Sequence, residues 1–440
     1  MQFEALSEIM KNCGIVGAGG AGFPSYAKLN KKADTIILNC AECEPLFRVH
    51  RQLLAGYTYE ILTALEYVRQ AVDAKRIIIA VKPSYKDAIE AVKDRAQSFS
   101  NVTICALPEV YPAGDEVVTI YEATGRVVPP GQLPISVGCI VFNVETMLNT
   151  YYAIEENRPV TKKYVTVAGA VKNPITLYVP LGIKFSELIS LAGGATIEDF
   201  AILSGGAMTG RLGKMTEVVT KTTNAVLVFP KNHPVILKRK SKTSLNIKRS
   251  MSSCCQCSSC TDMCPRFLLG HPIEPHLFMR AVSKGMEQDS KAIINTLYCA
   301  QCGICEMYAC PQGLSPKSIM GECKDMLRAK GLNPEPLEAT PVNPMRTHRR
   351  VQMKRLLSRL GLLEYAVKAP LDESEIKPKE VKLMFRQHIG APAVAIIKKG
   401  DKIKKNDLVA SAADGLSVPV YSSVSGTVKE LTKDYAVIKA

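Results

Sequence analysis

The chain of 440 residues is 47% hydrophobic and 22% charged, a composition typical of a soluble globular protein and too long for a single ordinary domain. It has no apolar run approaching the roughly 20 residues that cross a bilayer and no signal pattern at its N-terminus, so we expect a cytoplasmic protein without membrane insertion. The net charge of +15 comes without tryptophan and without aromatic residues between the basic ones, so we expect no nucleic acid partner.

Residues 1–158 alternate between helical and strand patterns. An amphipathic helix opens the chain, and a glycine-rich turn follows at 14–22. Strands are predicted at 35–39, 76–81, 102–107 and 137–144, with helices around 51–72 and 84–99. Helices of this length between strands predict an α/β domain with a largely parallel sheet.

The rest of the chain divides into four regions. In residues 159–235, a strand hairpin at 164–179 and a short helix at 185–191 predict a β-grasp domain. Residues 245–330 are helical and rich in cysteine, and residues 331–378 are predicted to be a linker with some helix. Short strands broken by glycine pairs predict an all-β module in residues 379–440.

Eight of the fifteen cysteines form two similar runs. The first is Cys254, Cys257, Cys260 and Cys264, and the second is Cys299, Cys302, Cys305 and Cys310. A proline follows the last cysteine of each run. Two-residue spacing lets a loop wrap three thiolates around one iron–sulfur cluster, while the fourth cysteine reaches a second cluster. The pattern therefore predicts two [4Fe–4S] clusters in a ferredoxin-like domain.

If the runs behave as in two-cluster ferredoxins, the ligands cross between them. Cys254, Cys257, Cys260 and Cys310 then hold one cluster, and Cys299, Cys302, Cys305 and Cys264 hold the other. Cys255 could replace Cys254, and the extra residue before Cys310 lengthens one loop. The alternative is a zinc site, which usually pairs two C-x2-C knuckles around one ion and fits this spacing less well.

The glycine-rich turn at residues 17–22 reads G-A-G-G-A-G. Its context is not that of a dinucleotide-binding turn, because a helix precedes it and Phe23-Pro24 follows. Its backbone N–H groups could still approach a phosphate closely, although a bare structural turn is the alternative. Polar residues follow at Lys28, at 39–45, at 111–116 and at 143–146, where ends of strands would line a ligand site.

These motifs resemble a known family. The turn, N-x-x-E-x-E-P at 39–45, the Tyr111–Glu116 run and N-V-E-T at 143–146 are similar to the flavin-binding fold of the NADH-oxidising subunit of respiratory complex I. With the β-grasp (SLBB-like) segment and the cysteine runs, the chain resembles the RnfC component of the Rnf complex. Residues 111–125 and 386–391 are still more similar to NADH-dependent cobalamin reductases of propanediol-utilisation microcompartments.

The resemblance implies a multidomain α/β protein with a complex I flavoprotein-like FMN domain, a β-grasp domain, a helical two-cluster domain and a barrel-sandwich module. It also implies site residues. Gly17, Gly19, Gly20 and Lys28 would hold the FMN phosphate; Asn39, Glu42, Tyr111, Asp115, Glu116 and Asn143 would line the ribityl chain and isoalloxazine; and Glu44 and Phe23 would face NADH, with Glu44 as the catalytic candidate. Ala41 and Lys31 depart from the complex I pattern.

The C-terminal module has no lysine at its hairpin tip, so we reject a covalent carrier function.

The resemblance further implies electron flow from NADH through FMN and two clusters to a corrinoid, reducing cob(III)alamin to cob(II)alamin or cob(I)alamin for a B12-dependent diol dehydratase. Cobalamin or an adenosyltransferase would be the acceptor, and microcompartment shell proteins would be partners. The alternative within electron transfer is an Rnf-like or proline-reductase-linked shuttle to a protein. A non-enzymatic zinc or nucleic-acid-binding module is the other class, and it predicts a colourless protein.

Overall fold

The computed structural model describes residues 1–99, 101–285 and 290–440. Its N-terminal part is built on a parallel sheet in the order β3-β2-β1-β5. The elements are α1 (Phe3–Asn12), β1 (Thr35–Cys40), α2 (Val49–Gly56), α3 (Thr58–Val72), β2 (Arg76–Val81), α4 (Lys86–Ala96), β3 (Val102–Ala106), β4 (Val110–Tyr111), α5 (Glu116–Thr124), β5 (Cys139–Asn143) and α6 (Val144–Glu156).

Strand β1 explains the architecture of this part. Every residue of β1 is buried, and such a strand needs helices on both faces of the sheet. The chain runs from β1 through β2 to β3 on one side and returns to place β5 on the other side of β1. The direction of winding therefore changes between β1 and β5, which is where parallel sheets bind ligands. The predicted parallel sheet is confirmed, whereas the helix expected at 51–72 is two helices that meet at Gly56 and Tyr57.

A six-stranded mixed sheet follows, in the order β12-β7-β6-β10-β8-β9. Its elements are β6 (Lys162–Gly169), β7 (Ile175–Pro180), α7 (Phe185–Leu191), β8 (Phe200–Ser204), β9 (Arg211–Gly213) and β10 (Ala225–Pro230). The hairpin β6–β7 and the helix α7 lie at or within two residues of their predicted bounds, because each is a short periodic pattern closed by turn residues.

The cysteine-rich part is helical. It contains α8 (Pro234–Lys240), α9 (Thr243–Ser253), α10 (Ser259–Asp262), α11 (Pro265–Leu268), α12 (Pro275–Ser283), α13 (Ser290–Ile294) and α14 (Pro316–Ala329). A small core that includes Phe278, Met279, Ile319 and Met320 joins α12 to α14. Cysteines of both runs pack against this core, so the short helices hold the two runs beside each other.

Residues 331–378, expected as a linker, pair with strands of the N-terminal part and of the second sheet. They contain β11 (Val351–Gln352), α15 (Met353–Arg359) and β12 (Leu371–Asp372). β11 pairs with β4, and β12 extends the second sheet beside β7. These strands are two residues long, so their alternation is too short to be found in the sequence.

The C-terminal module consists of two small sheets, in the orders β13-β19-β18-β15 and β14-β16-β17. Its strands are β13 (Glu380–Met384), β14 (Val394–Ala395), β15 (Lys402–Ile403), β16 (Leu408–Ser411), β17 (Val420–Tyr421), β18 (Gly426–Leu431) and β19 (Tyr435–Lys439). Ser423 donates to the carbonyl of Leu181 at 2.6 Å, so the module is docked on the second sheet. Across the described ranges, no helix has the length and apolar character to span a membrane.

Candidate electron-transfer site

The glycine-rich turn lies over the carboxyl ends of β1 and β5. The N–H of Ala18 donates to the hydroxyl of Thr146 at 3.0 Å, just after β5. A Cβ atom on Gly19 would lie 2.8 Å from the side-chain amide of Asn143, so a larger residue there would have to displace that side chain. Gly20 has φ +88°, and a Cβ atom there would meet nothing within 4 Å, so the backbone faces open space. Such a turn suits the close approach of a phosphate.

Charged and amide side chains converge at the same edge of the sheet. Lys28 Nζ lies 3.0 Å from Glu116 Oε1 and donates to the carbonyl of Val141 at 3.0 Å. Asn39 at the end of β1 donates to the carbonyl of Gly114 at 3.0 Å. The structure therefore brings Gly19, Lys28, Asn39, Glu116 and Asn143 to the crevice between β1 and β5.

This set fits FMN in its chemistry. Lys28 can donate a hydrogen bond to a phosphate, and its ion pair with Glu116 offsets the carboxylate that would otherwise repel an anion, so the pair adds no net charge. Gly17 lies in the same turn, with its N–H bonded to the carbonyl of Phe23 at 2.9 Å. Phe23 is partly buried at the end of the turn, and its predicted contact with NADH stays a prediction.

Two of the predicted carboxylates have other partners. Glu42 is buried and accepts hydrogen bonds from Arg51 Nε at 2.9 Å and from the N–H of His50 at 2.8 Å. Burial opposes its ionisation, but Arg51 and His50 outweigh burial and hold the pKa of Glu42 below its usual value. Glu42 therefore anchors the start of α2 to the end of β1, and its predicted contact with the flavin stays a prediction.

Glu44, the catalytic candidate, is enclosed by the second sheet. Its carboxylate accepts hydrogen bonds from the N–H groups of Met208 at 3.0 Å and Thr209 at 2.8 Å, and also from the hydroxyl of Thr209. A Cβ atom on Gly206 would lie 2.0 Å from Glu44 Oε2, so this fit depends on glycine. Burial raises the pKa of Glu44. The structure thus turns Glu44 toward the β8–β9 turn, and a role in NADH oxidation stays a prediction.

Tyr111 and Asp115 connect the sheet to the second cysteine run. The hydroxyl of Tyr111 donates to the carbonyl of Cys302 at 2.6 Å. Asp115 caps α5 with one carboxylate oxygen and accepts from Arg266 Nη2 at 2.9 Å with the other. Both hold the cysteine-rich part in place, and their predicted position beside the flavin stays a prediction.

Arg266 was missed by the sequence analysis, although it follows directly after Cys264-Pro265. Its guanidinium is largely buried, and its Nε atom has no hydrogen-bond partner among the described residues. Arg266 also lines a cleft of about 610 Å³, together with Ala21 of the glycine-rich turn, residues 131–133, Cys299 and Gln301. A cleft of this size can hold a cofactor, and it joins the turn directly to a cysteine of the second run.

The eight cysteines form two groups that cross between the runs. The outer set, Cys254, Cys257, Cys260 and Cys310, lines one small cavity of about 30 Å³. Burial, and then the charges of Cys310, Cys254 and Cys257, raise the pKa of Cys260 to about 12.

The inner set is Cys264, Cys299, Cys302 and Cys305. Burial, and then the charges of Cys299, Cys302 and Cys264 among others, raise the pKa of Cys305 well above its usual value. Thiols of both runs therefore act on Cys305, and the crossed ligand sets stay a prediction. Cys255 is exposed at the rim of the outer cavity.

The two runs also share a turn that the sequence analysis did not use. Gln256 and Gln301 each lie two residues after the first cysteine of their run and have positive φ values of 54° and 56°. Their side-chain amides donate to the sulfur atoms of Cys254 at 3.2 Å and Cys299 at 3.4 Å. The repeated C-x-Q-C pattern was the available signal, and such hydrogen bonds to sulfur tune a cluster.

The donor set fits clusters better than a single ion. Among the described residues, no three His, Cys, Asp or Glu side chains converge closely enough to hold one metal ion. Thiolates of a [4Fe–4S] cluster each bind a different iron atom, so they stand farther apart than the ligands of one zinc ion.

Comparison with known families confirms the predicted architecture. Four family models match along the chain: the Nuo51 FMN-binding domain at residues 10–152, the SLBB domain at 164–212, the 4Fe-4S dicluster domain at 253–315 and the RnfC barrel sandwich hybrid domain at 364–439. A solved NAD+-reducing [NiFe]-hydrogenase shares the fold with a TM-score of 0.50 and 16% identity, covering 79% of this chain and 66% of that chain.

Curated relatives give the family. A component of the Na(+)-translocating ferredoxin:NAD(+) oxidoreductase complex of Acetobacterium woodii is 32% identical, over 60% of this chain and 58% of its own length. The proteins named cobalamin reductase PduS of Citrobacter freundii and Salmonella typhimurium are each 41% identical over 98% of this chain and 95% of their own length. With an FMN-binding domain and a 4Fe-4S dicluster domain in this order, the chain is an oxidoreductase that belongs to the cobalamin reductase PduS family.

Proposed function

We propose that this protein passes electrons from NADH through FMN and two [4Fe–4S] clusters to a corrinoid. The observation that carries the proposal is the continuity between the FMN domain and the inner set. Tyr111 and Asp115 of the FMN domain contact Cys302 and Arg266, and one cleft reaches from the glycine-rich turn to Cys299. An electron carrier in that cleft would need no large movement of the protein to reach the inner cluster.

The division of chemistry follows from the carriers. FMN can accept two electrons as hydride and release them singly, which suits one-electron acceptors such as clusters and cob(III)alamin. The chain's own residues supply binding and orientation. Lys28 and the turn backbone would hold the phosphate, and Asn39, Glu116 and Asn143 would orient the rest of the cofactor at the end of the sheet. Tyr111 and Asp115 fix the inner set at a constant position relative to that site.

The corrinoid acceptor is supported by the family, since the relatives that match nearly the whole chain are named cobalamin reductases. We extend the proposal to an adenosyltransferase as the enzyme that uses the reduced corrinoid and to shell proteins of a microcompartment as partners. That extension, and a location inside such a compartment, rest on the resemblance stated from the sequence.

The test uses the purified holoprotein with NADH and aquocobalamin under anaerobic conditions. We expect loss of the cob(III)alamin absorption bands together with NADH oxidation. Rapid NADH-dependent reduction of ferricyanide without any corrinoid reduction would reject the corrinoid as acceptor. It would favour the second candidate, a shuttle to a protein.

A specific observation supports that second candidate, a protein acceptor. The outer set lies at the surface, with Cys257 exposed, and α9 brings exposed Lys248 and Arg249 close to Cys254. A basic surface beside an exposed cluster suits an acidic protein acceptor. Inhibition of corrinoid reduction by an added acidic redox protein, relieved by salt, would support it.

A further inference from the structure

A second cleft, of about 550 Å³, also reaches the glycine-rich turn. Three parts of the chain line it: Gly20 and Ala21 of the turn, residues 216–222 with Arg211 of the second sheet region, and residues 382–389 of the C-terminal module. We call it the basic cleft. It includes the segment that begins at Arg386, which the sequence analysis marked as family-like and for which the proposed function gives no role.

The basic cleft carries positive charge that the protein does not neutralise. Arg211 is paired with Glu217 through two contacts of 3.0 Å and 2.7 Å, so this pair adds no net charge. Lys382 lies over the ring of Tyr435, and Arg386 donates to the carbonyl of Gly390 at 3.0 Å. Within residues 1–99, 101–285 and 290–440, neither of these two cations forms an ion pair. Two unpaired cations favour an anionic ligand.

Neutral donors complete the lining. The hydroxyls of Thr220 and Thr222 are hydrogen-bonded to each other at 3.2 Å, so one of the two can donate to a ligand oxygen while that bond is kept. Gly20 also lines the cleft, and its backbone borders open space. His388 is less suited to bind an anion, because Nδ1 lies 2.8 Å from the carbonyl of Ile389 and Nε2 accepts from the N–H of Val418 at 3.3 Å. Burial lowers the pKa of His388, so it contributes shape and no charge.

The floor of the cleft is held rigidly. Gln387 accepts from the N–H of Lys221 at 2.9 Å and donates to the carbonyl of Met384 at 2.8 Å. A Cβ atom on Gly22 would lie 2.6 Å from Thr222 Cγ2 and 3.2 Å from the carbonyl oxygen of Gln387. The turn, the second sheet and the C-terminal module are thus in close contact at this point. A ligand would find its donors already in position, which lowers the entropic cost of binding.

We infer that the basic cleft binds the phosphate-bearing part of a substrate whose reacting part reaches the proposed flavin site next to the glycine-rich turn. The inference rests on the proposed function, which involves two such substrates: a reduced nicotinamide dinucleotide, with its diphosphate, and a corrinoid, with the phosphodiester of its nucleotide loop. Both carry a phosphate ester anion on a long flexible arm. Arg386 and Lys382 would supply charge-assisted hydrogen bonds to that anion.

The test measures equilibrium binding to the oxidised holoprotein, so that no turnover is needed. The variants are Arg386→Glu and Lys382→Gln, and the control is Lys399→Glu, an exposed lysine of the same module that does not line the cleft. Calorimetry gives Kd for NAD+, for aquocobalamin and for cobinamide, which lacks the nucleotide loop. We expect Arg386→Glu to raise the Kd of one phosphate-bearing ligand by about tenfold or more. Lys399→Glu should change Kd by less than about twofold.

The arms of the test separate the two sources. A rise in Kd for NAD+ alone assigns the cleft to the dinucleotide. A rise for aquocobalamin with no rise for cobinamide assigns it to the corrinoid loop. Unchanged Kd values in both variants, equal changes in the control, or no binding of either ligand to the unmodified protein at about 1 mM would overturn the inference.

Failure of the proposed function looks different from failure of the inference. If the unmodified protein binds aquocobalamin but NADH does not reduce it, the electron route is wrong, and the Kd values of the variants still decide the cleft assignment. FMN content and thermal unfolding of each variant confirm that the fold is retained, since both substituted side chains lie at the surface of the cleft.

Discussion

The inner and outer sets each contain three cysteines at two-residue spacing but have different surroundings. None of the inner four cysteines is exposed, and Cys305 is buried. In the outer set, Cys257 is exposed, and the hydroxyl and N–H of Ser259 lower its pKa. Burial dominates at Cys305 of the inner set, whereas hydrogen bonding near solvent dominates at Cys257 of the outer set. The local sequence therefore specifies the cluster, and the packing around it specifies its environment.

The difference predicts a direction for electrons. The inner set is joined to the FMN domain through Tyr111 and Arg266, and the outer set faces solvent. Burial and solvent access are among the factors that set cluster potentials, so the two clusters should differ in potential. We expect the inner cluster to receive electrons from the flavin and the outer cluster to deliver them.

The largest expected effect comes from the inner set. Cys302→Ser should abolish the inner cluster and lower NADH-dependent corrinoid reduction by about 100-fold or more, since the first acceptor after the flavin is lost. Stopped-flow absorbance should show that NADH still bleaches the flavin while the outer cluster stays oxidised. Rapid reduction of the outer cluster in this variant would contradict the proposed order.

Cys310→Ser tests the crossed ligation and should have the next largest effect. We expect the outer cluster to be lost, iron to fall from about eight to about four atoms per chain, and the EPR signal of the inner cluster to remain. Corrinoid reduction should fall by about tenfold, with NADH-dependent reduction of the inner cluster preserved. Loss of the inner signal with retention of the outer one would reject the crossed sets.

How far the sequence predicted this site depends on how local each feature is. Strand β2, helix α7 and the cysteine spacing are short-range patterns, and the structure has β2 and α7 at the predicted bounds. The partner of Glu44 could not be predicted, because Met208 is 164 positions away. The same holds for the hydrogen bond from Tyr111 to Cys302, which spans 191 positions.

Arg266 shows what a single buried charge adds to the inner set. It pairs with Asp115 at 2.9 Å. Burial lowers the pKa of Arg266, but Asp115 and then the charges of Cys302 and Cys264 outweigh burial and raise it. Arg266→Gln should leave both clusters assembled but lower the potential of the inner one, because the positive charge that favours its reduced form is gone. Corrinoid reduction should slow by about threefold to tenfold.

Potentiometric titration followed by EPR checks the Arg266 prediction. The outer cluster is the internal control, and its midpoint potential should not move. Equal shifts of both potentials would indicate a general change of the fold, and no shift would show that Arg266 serves only to hold the two parts together. Arg266→Lys, which keeps the charge and loses the planar fork, should restore most of the potential.

The smallest expected effect is that of Cys255→Ser. This variant tests whether Cys254 or Cys255 is the ligand of the outer cluster. Cys255 is exposed, whereas Cys254 is partly buried, accepts a hydrogen bond from Gln256 and packs against the core of the cysteine-rich part. Iron content, EPR signals and corrinoid reduction should stay within about twofold of the unmodified protein. The matched variant Cys254→Ser should lose the outer cluster, since serine is a poor substitute for a thiolate ligand. The opposite result would move the ligand to Cys255, and because that thiol is in solvent, the contrast between an exposed outer cluster and an enclosed inner one would become sharper.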